Sequence, residues 1–167
     1  FLINQNKQTL IFFGWSLVIC LFLVTSDAYL QFFTGENILG WKTTHNRLSG
    51  IFGHELVLGS FLARLMPLGF FVLASIPRLK SWMVILGLCF LIAVDVLIYL
   101  AGERVGFFYL MLGTVLIIVL ISRFRWLRFF TFLASSLVII VLTITLPQVK
   151  SRMVDQTISD FGLNNTT

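Results

Sequence analysis

The sequence predicts an all-α protein, a polytopic transmembrane helix bundle with about five spanning helices plus an outer-face amphipathic helix. Three observations predict it. Of the 167 residues, 58% are hydrophobic, and mean hydropathy is +0.98. Only 11% are charged, against roughly 25% in a soluble domain, so a soluble core of this size could not hide the apolar surface. Five apolar runs also follow one another, at 9–25, 56–76, 82–100, 105–122 and 129–146. Each is near the ~20 residues that cross a hydrocarbon core, and only helices satisfy such a backbone within the segment. Finally, most of the charges fall between the runs.

The first run, 9–25, follows Lys7 with no cleavage site, so it reads as an internal helix rather than a signal peptide. The chain opens at Phe1 and reads as an excerpt of a longer protein. A long connection, 26–55, comes next and carries Asp27, Glu36, Lys42, Arg47 and Glu55. Its glycines allow tight turns, and Tyr29, Phe32, Phe33, Trp41 and Phe52 suit a segment packed at the membrane interface. The second run, 56–76, ends at Pro77 and contains Pro67, which predicts a kink. Its Gly59, Ala63 and Pro67 form a small-residue stripe suited to helix packing. Four residues separate the third and fourth runs, and Pro147 closes the fifth. Residues 1–147 thus form the transmembrane region. Residues 148–167 begin a larger outer loop, with apolar Val149, Met153, Val154, Ile158 and Phe161 at amphipathic-helix spacing.

The net charge of +5 does not point to nucleic acid, because the basic residues sit mostly between apolar runs. With the N-terminus cytoplasmic, the inner segments hold Lys7, Arg78, Lys80, Arg123, Arg125 and Arg128, with no acid. Short, purely basic loops are what the positive-inside rule expects. The connections 26–55 and 102–104 then lie on the outer face. Cys20 and Cys89 sit inside apolar runs and carry no disulfide or metal spacing.

Outer-face arginines oppose that trend and need a reason. Arg47 lies beside a glycine-rich turn, and an arginine fork suits phosphate. Arg104 opens a helix, where backbone N–H groups and the dipole favour anions. A solvated loop and an arginine snorkelling beside Glu103 are the plainer readings. Two ionisable residues fall inside apolar runs, Arg64 and Asp95, and both are expected to point inward and to pair. His54 lies within the Arg47 segment and ranks above His45. No Ser-His-Asp order, zinc spacing or Gly-rich nucleotide loop is present.

The segments Arg47-Leu-Ser-Gly-Ile-Phe-Gly-His-Glu55 and Gly102-Glu-Arg-Val-Gly106, with the helices between and after them, resemble the O-antigen ligase and O-antigen polymerase family of bacterial inner-membrane glycosyltransferases. The order motif, helix, helix, Gly-x-Arg, helix, helix, outer loop covers nearly the whole chain. Glu103 departs from the small residue usual before the arginine, and His54-Glu55 from a common Asn-Pro. The resemblance implies transfer or polymerisation of a glycan from undecaprenyl diphosphate at the periplasmic face, with no nucleotide sugar, metal or other cofactor. Its partners would be the lipid-linked glycan, an acceptor glycan or lipid, and membrane lipid, without nucleic acid. It implies catalytic roles for Arg47 and Arg104 and a weaker substrate contact from Arg152; His54, Glu55 and Arg64 are further, weaker candidates for substrate binding. The general base would come from the large periplasmic loop, less readily from Glu55. A transporter or channel fragment with paired intramembrane charges, or a non-catalytic membrane subunit, are the rival expectations.

Overall fold

The computed structural model describes residues 7–43, 47–75, 81–151 and 153. Within them run the helices α1 (Lys7–Thr34), α2 (Leu58–Ser75), α3 (Ser81–Leu100), α4 (Arg104–Leu120), α5 (Arg125–Thr145) and the short α6 (Pro147–Lys150). Two 3-10 turns, Gly50–Phe52 and Ser122–Phe124, complete the order. Among the described residues, three segments are long and apolar enough to cross a membrane: Ile11–Thr34, Trp82–Leu100 and Arg125–Thr145. The shorter apolar helices α2 and α4 pack among them. The protein is therefore an all-α, polytopic membrane bundle. Its outward side chains agree, with Phe12 at 72% exposure and Ile144 at 75%. A monomer in water does not expose such a continuous apolar surface.

The first boundary differs from the sequence expectation. Helix α1 does not end at Thr25 but runs on to Thr34. Asp27 looked like the end of an apolar run. Instead it is buried at 1% exposure, and its Oδ1 accepts the Ile38 N–H at 2.9 Å. With one carboxylate oxygen engaged there and the other buried without a partner among the described residues, the helix runs on until Gly35. That glycine has φ +84°, and its N–H donates to the Gln31 carbonyl at 2.9 Å. A left-handed glycine just past the last turn is a common helix stop. The long connection is thus 35–57, and part of its expected length belongs to α1.

Helices α2 and α4 meet at unusually close range. A Cβ on Gly106 would lie 2.6 Å from the Gly59 carbonyl carbon, and one on Gly113 would lie 2.9 Å from Pro67 Cγ. Ala63 between them is 1% exposed. The small-residue stripe on α2 thus faces a second small-residue stripe on α4, which is how helices approach closely in lipid. Helix α2 continues through Pro67 to Ser75. Leu58, Leu62, Met66, Val94, Leu97, Ile98 and Leu110 fill the core between α2, α3 and α4. Two hydroxyls bind helices together: Tyr29 donates to the Ala93 carbonyl at 2.7 Å, and Tyr99 pairs with Thr143 at 2.8 Å. The amphipathic helix expected over 148–163 lies mostly outside the described residues, beyond α6, Ser151 and Met153.

Candidate functional site

The end of the bundle that carries the α1–α2 connection gathers most of the candidate residues. The connection is folded onto α1 by buried side chains. Gln31, fully buried, accepts the N–H groups of Ser49 (3.0 Å) and Gly50 (2.8 Å) on its Oε1. Its Nε2 donates to the Trp41 carbonyl at 3.2 Å and the Ser49 hydroxyl at 3.4 Å. Asn37 donates to the Gly50 carbonyl at 2.6 Å and accepts from the Leu39 and Trp41 N–H groups. Buried backbone groups need such partners, and here α1 and the connection supply them. Gly53, with φ +62°, lies under the Trp41 ring, where a Cβ would meet the indole at 3.3 Å. The His54 ring stands edge-on to the same indole, with centroids 4.5 Å apart.

Arg47 extends from this connection to the α3–α4 turn, where its Nε donates to the Ala101 carbonyl at 3.4 Å. That contact brings together the two motifs that the sequence singled out. Gly102 makes the turn with φ +67°. The next residue, Glu103, is directed at α2, where its Oε2 accepts the Ser60 N–H at 2.8 Å. Ser60 is in the first turn of α2, whose N–H groups lack intrahelical partners, and a carboxylate there also meets the positive end of the helix dipole. The unusual Glu103 thus has a structural role as a cap supplied from the α3–α4 turn. Arg104 is exposed at the first residue of α4. Glu55 and His54 are exposed on the connection. Arg152 and His45 lie outside the described residues.

The expected pairing of Arg64 with Asp95 is not what the structure contains. Arg64 is exposed, with its guanidinium carbon 4.9 Å from the Tyr109 ring centroid. Asp95 is instead paired with Arg128, and both side chains are fully buried. Arg128 Nη1 and Nη2 donate to the two carboxylate oxygens at 2.8 and 3.0 Å. Nη2 also donates to Thr114 Oγ1 at 2.7 Å, and Ser135 donates to Asp95 at 3.2 Å. Arg128 was expected in a basic connecting loop. It belongs to α5, which begins at Arg125, and its long side chain reaches into the bundle. A polar stripe at Arg128, Thr131 and Ser135 has helical i, i+3, i+7 spacing, and that signal in the sequence marks the inward face of α5. Ser135 is ten residues from either end of α5, or roughly 15 Å along the axis, so the cluster sits near mid-depth. Its charges cancel and it is closed to solvent, which suits a structural staple between α3, α4 and α5 better than a transport path.

Among the described residues, no group of His, Cys, Asp and Glu could hold a metal ion. Cys20 and Cys89 are free and exposed on the outside of the bundle. No family model matches the chain, no curated protein is detectably similar to it, and no solved structure matches its fold.

Proposed function

We propose that this chain is the membrane part of a glycosyltransferase that transfers or polymerises a glycan from undecaprenyl diphosphate, in the manner of O-antigen ligases and polymerases. The Arg47–Ala101 contact carries the reading, because it sets the Arg47 segment against the turn that leads into Arg104. One of the five guanidinium N–H groups of Arg47 is used in that contact. The rest of the fork is what the reading assigns to the diphosphate, together with Arg104.

The chemistry suits such a pair. The acceptor hydroxyl attacks the anomeric carbon, the bond from that carbon to the phosphate oxygen breaks, and a glycosidic bond forms. The hydroxyl proton passes to a base, which is Glu55 or a group outside these residues. The diphosphate leaves as an anion, and fixed cations stabilise the charge that develops on it. Arginine keeps its charge throughout, since it does not deprotonate in proteins. This face would be periplasmic in a bacterial inner membrane.

The test is Arg47→Ala and Arg104→Ala in cells making the whole protein, with surface polysaccharide and lipid-linked donor measured together. The expected outcome is a loss of roughly 10²-fold in glycan transfer, the scale of removing one charge-stabilising donor, with donor accumulating. Arg47→Lys, which keeps charge and loses the fork, should restore only part of it. Unchanged glycan at normal expression of either alanine variant refutes the assignment.

A further inference from the structure

We infer that the opposite end of the bundle holds a specific site for one acyl chain of an anionic phospholipid. The site is an apolar slot of about 520 Å³ between α1, α3 and the start of α5. Trp15, Phe22, Trp82, Gly87, Leu91 and Leu127 are among the residues that line it. Slots of this size fall within the range that holds small molecules. It lies at the other end of the bundle from Arg47, so the inference stands apart from the transferase reading.

Three features of the slot specify the occupant. The first is its depth. From Trp82, the second residue of α3, to Leu91 is nine residues, or about 13–14 Å along the helix. Half of a ~30 Å hydrocarbon core is about 15 Å. The slot therefore runs from the helix ends to the middle of the bilayer, as far as the chain of one leaflet reaches. Trp15 and Trp82 line its upper part, and tryptophan is favoured at the interface.

The second feature is Gly87. It lies in the interior of α3, where glycine weakens a helix. Glycines at Gly59, Gly106 and Gly113 have a neighbour that a Cβ would crowd, whereas a Cβ on Gly87 would meet nothing within 4 Å. Among the described residues, no atom requires a glycine there. Its effect is to widen the slot for something other than this chain.

The third feature is charge at the mouth. In the sequence, segments 1–8, 76–81 and 121–125 contain Lys7, Arg78, Lys80, Arg123 and Arg125, and no Asp or Glu. Arg125 is exposed at the first residue of α5, between the lining residues Phe124 and Leu127. A lipid whose chain fills the slot brings its headgroup to this level, and the exposed Arg125 favours an anionic one.

The test uses the protein in vesicles of phosphatidylglycerol and phosphatidylcholine, each in turn carrying a photoactivatable acyl chain, with adducts mapped by peptide mass. Phosphatidylglycerol label should concentrate on segments 15–22 and 82–91, about tenfold over the lipid-facing Ile140 and Ile144 of α5. Gly87→Trp, whose ring fills the slot, should remove that excess, while Gly87→Ala keeps it. Arg125→Gln, an exposed change that leaves the core untouched, should erase the preference for phosphatidylglycerol over phosphatidylcholine. Even labelling over all lipid-facing helices overturns the site. So does an unchanged pattern in a folded Gly87→Trp protein, or a dimer that this substitution converts to monomer, since the slot would then hold a second copy. An Arg125→Gln protein that retains the headgroup preference overturns the anionic assignment.

Discussion

Asp95→Ala tests what holds α3 to α5. The substitution removes two charge-assisted hydrogen bonds, at 2.8 and 3.0 Å, from the Arg128 guanidinium. The 2.7 Å contact with Thr114 remains. Both charged side chains are fully buried, and removing one member of such a pair costs about 3–5 kcal/mol in soluble proteins. An escape route lowers that figure here. Arg128 is three residues from the start of α5, roughly 4–5 Å along the axis, so an unpaired guanidinium can turn back toward the helix end. We therefore expect about 2–4 kcal/mol. Arg128→Met alone should also destabilise, since it strands the carboxylate. The double variant Asp95→Leu with Arg128→Met replaces the pair by apolar side chains and should return to within about 1 kcal/mol of the parent. The assay is reversible unfolding in mixed micelles, followed by circular dichroism, with all four proteins in one cycle. A single-variant loss below about 1 kcal/mol, or strictly additive losses, refutes the view that the pair staples the bundle.

Other predictions concern the site end and the helix seams. Gln31→Ala removes the partners of two buried N–H groups, on Ser49 and Gly50, and each unpaired group costs about 1–3 kcal/mol. Faster amide exchange and proteolysis within 35–57 should follow, with α3 and α5 unaffected, and unchanged exchange in the connection would count against the hydrogen-bonded lock. Gly106→Ala forces a Cβ against the α2 backbone at 2.6 Å and should cost about 1–3 kcal/mol, whereas Gly87→Ala, in open space, should be neutral or stabilising by up to about 1 kcal/mol. Equal melting temperatures for these two variants would contradict the close α2–α4 contact. Glu103→Gln keeps an acceptor for the Ser60 N–H and should be mild. Glu103→Ala uncaps α2 and should cost about 1 kcal/mol, read as a lower melting temperature.

What the sequence alone determined is the class of the protein and its order of helices. Five apolar runs of membrane-crossing length leave the backbone little choice but helix, so that reading needed no tertiary information. The small residues at Gly59, Ala63 and Pro67 also announced a close helix contact, because their spacing repeats on one face. The end of α1 was not legible. An aspartate in an apolar run looks like a boundary until a folded-back segment supplies its hydrogen bond, and the donor at Ile38 is eleven residues away in sequence. The partner of Asp95 was hidden for the same reason. Arg64 and Arg128 are both arginines in or near apolar helices. The polar stripe of α5 marks its inward face, but only the packing of α3 on α5 decides that Arg128 takes Asp95 while Arg64 lies exposed over Tyr109. Likewise Arg47 and Arg104 could each be singled out by residue type, but the contact of Arg47 with the Ala101 carbonyl depends on the connection folding back onto the α3–α4 turn. Helical periodicity is local and can be read along the chain, whereas the choice of partner among similar charges is made by which helices share a core.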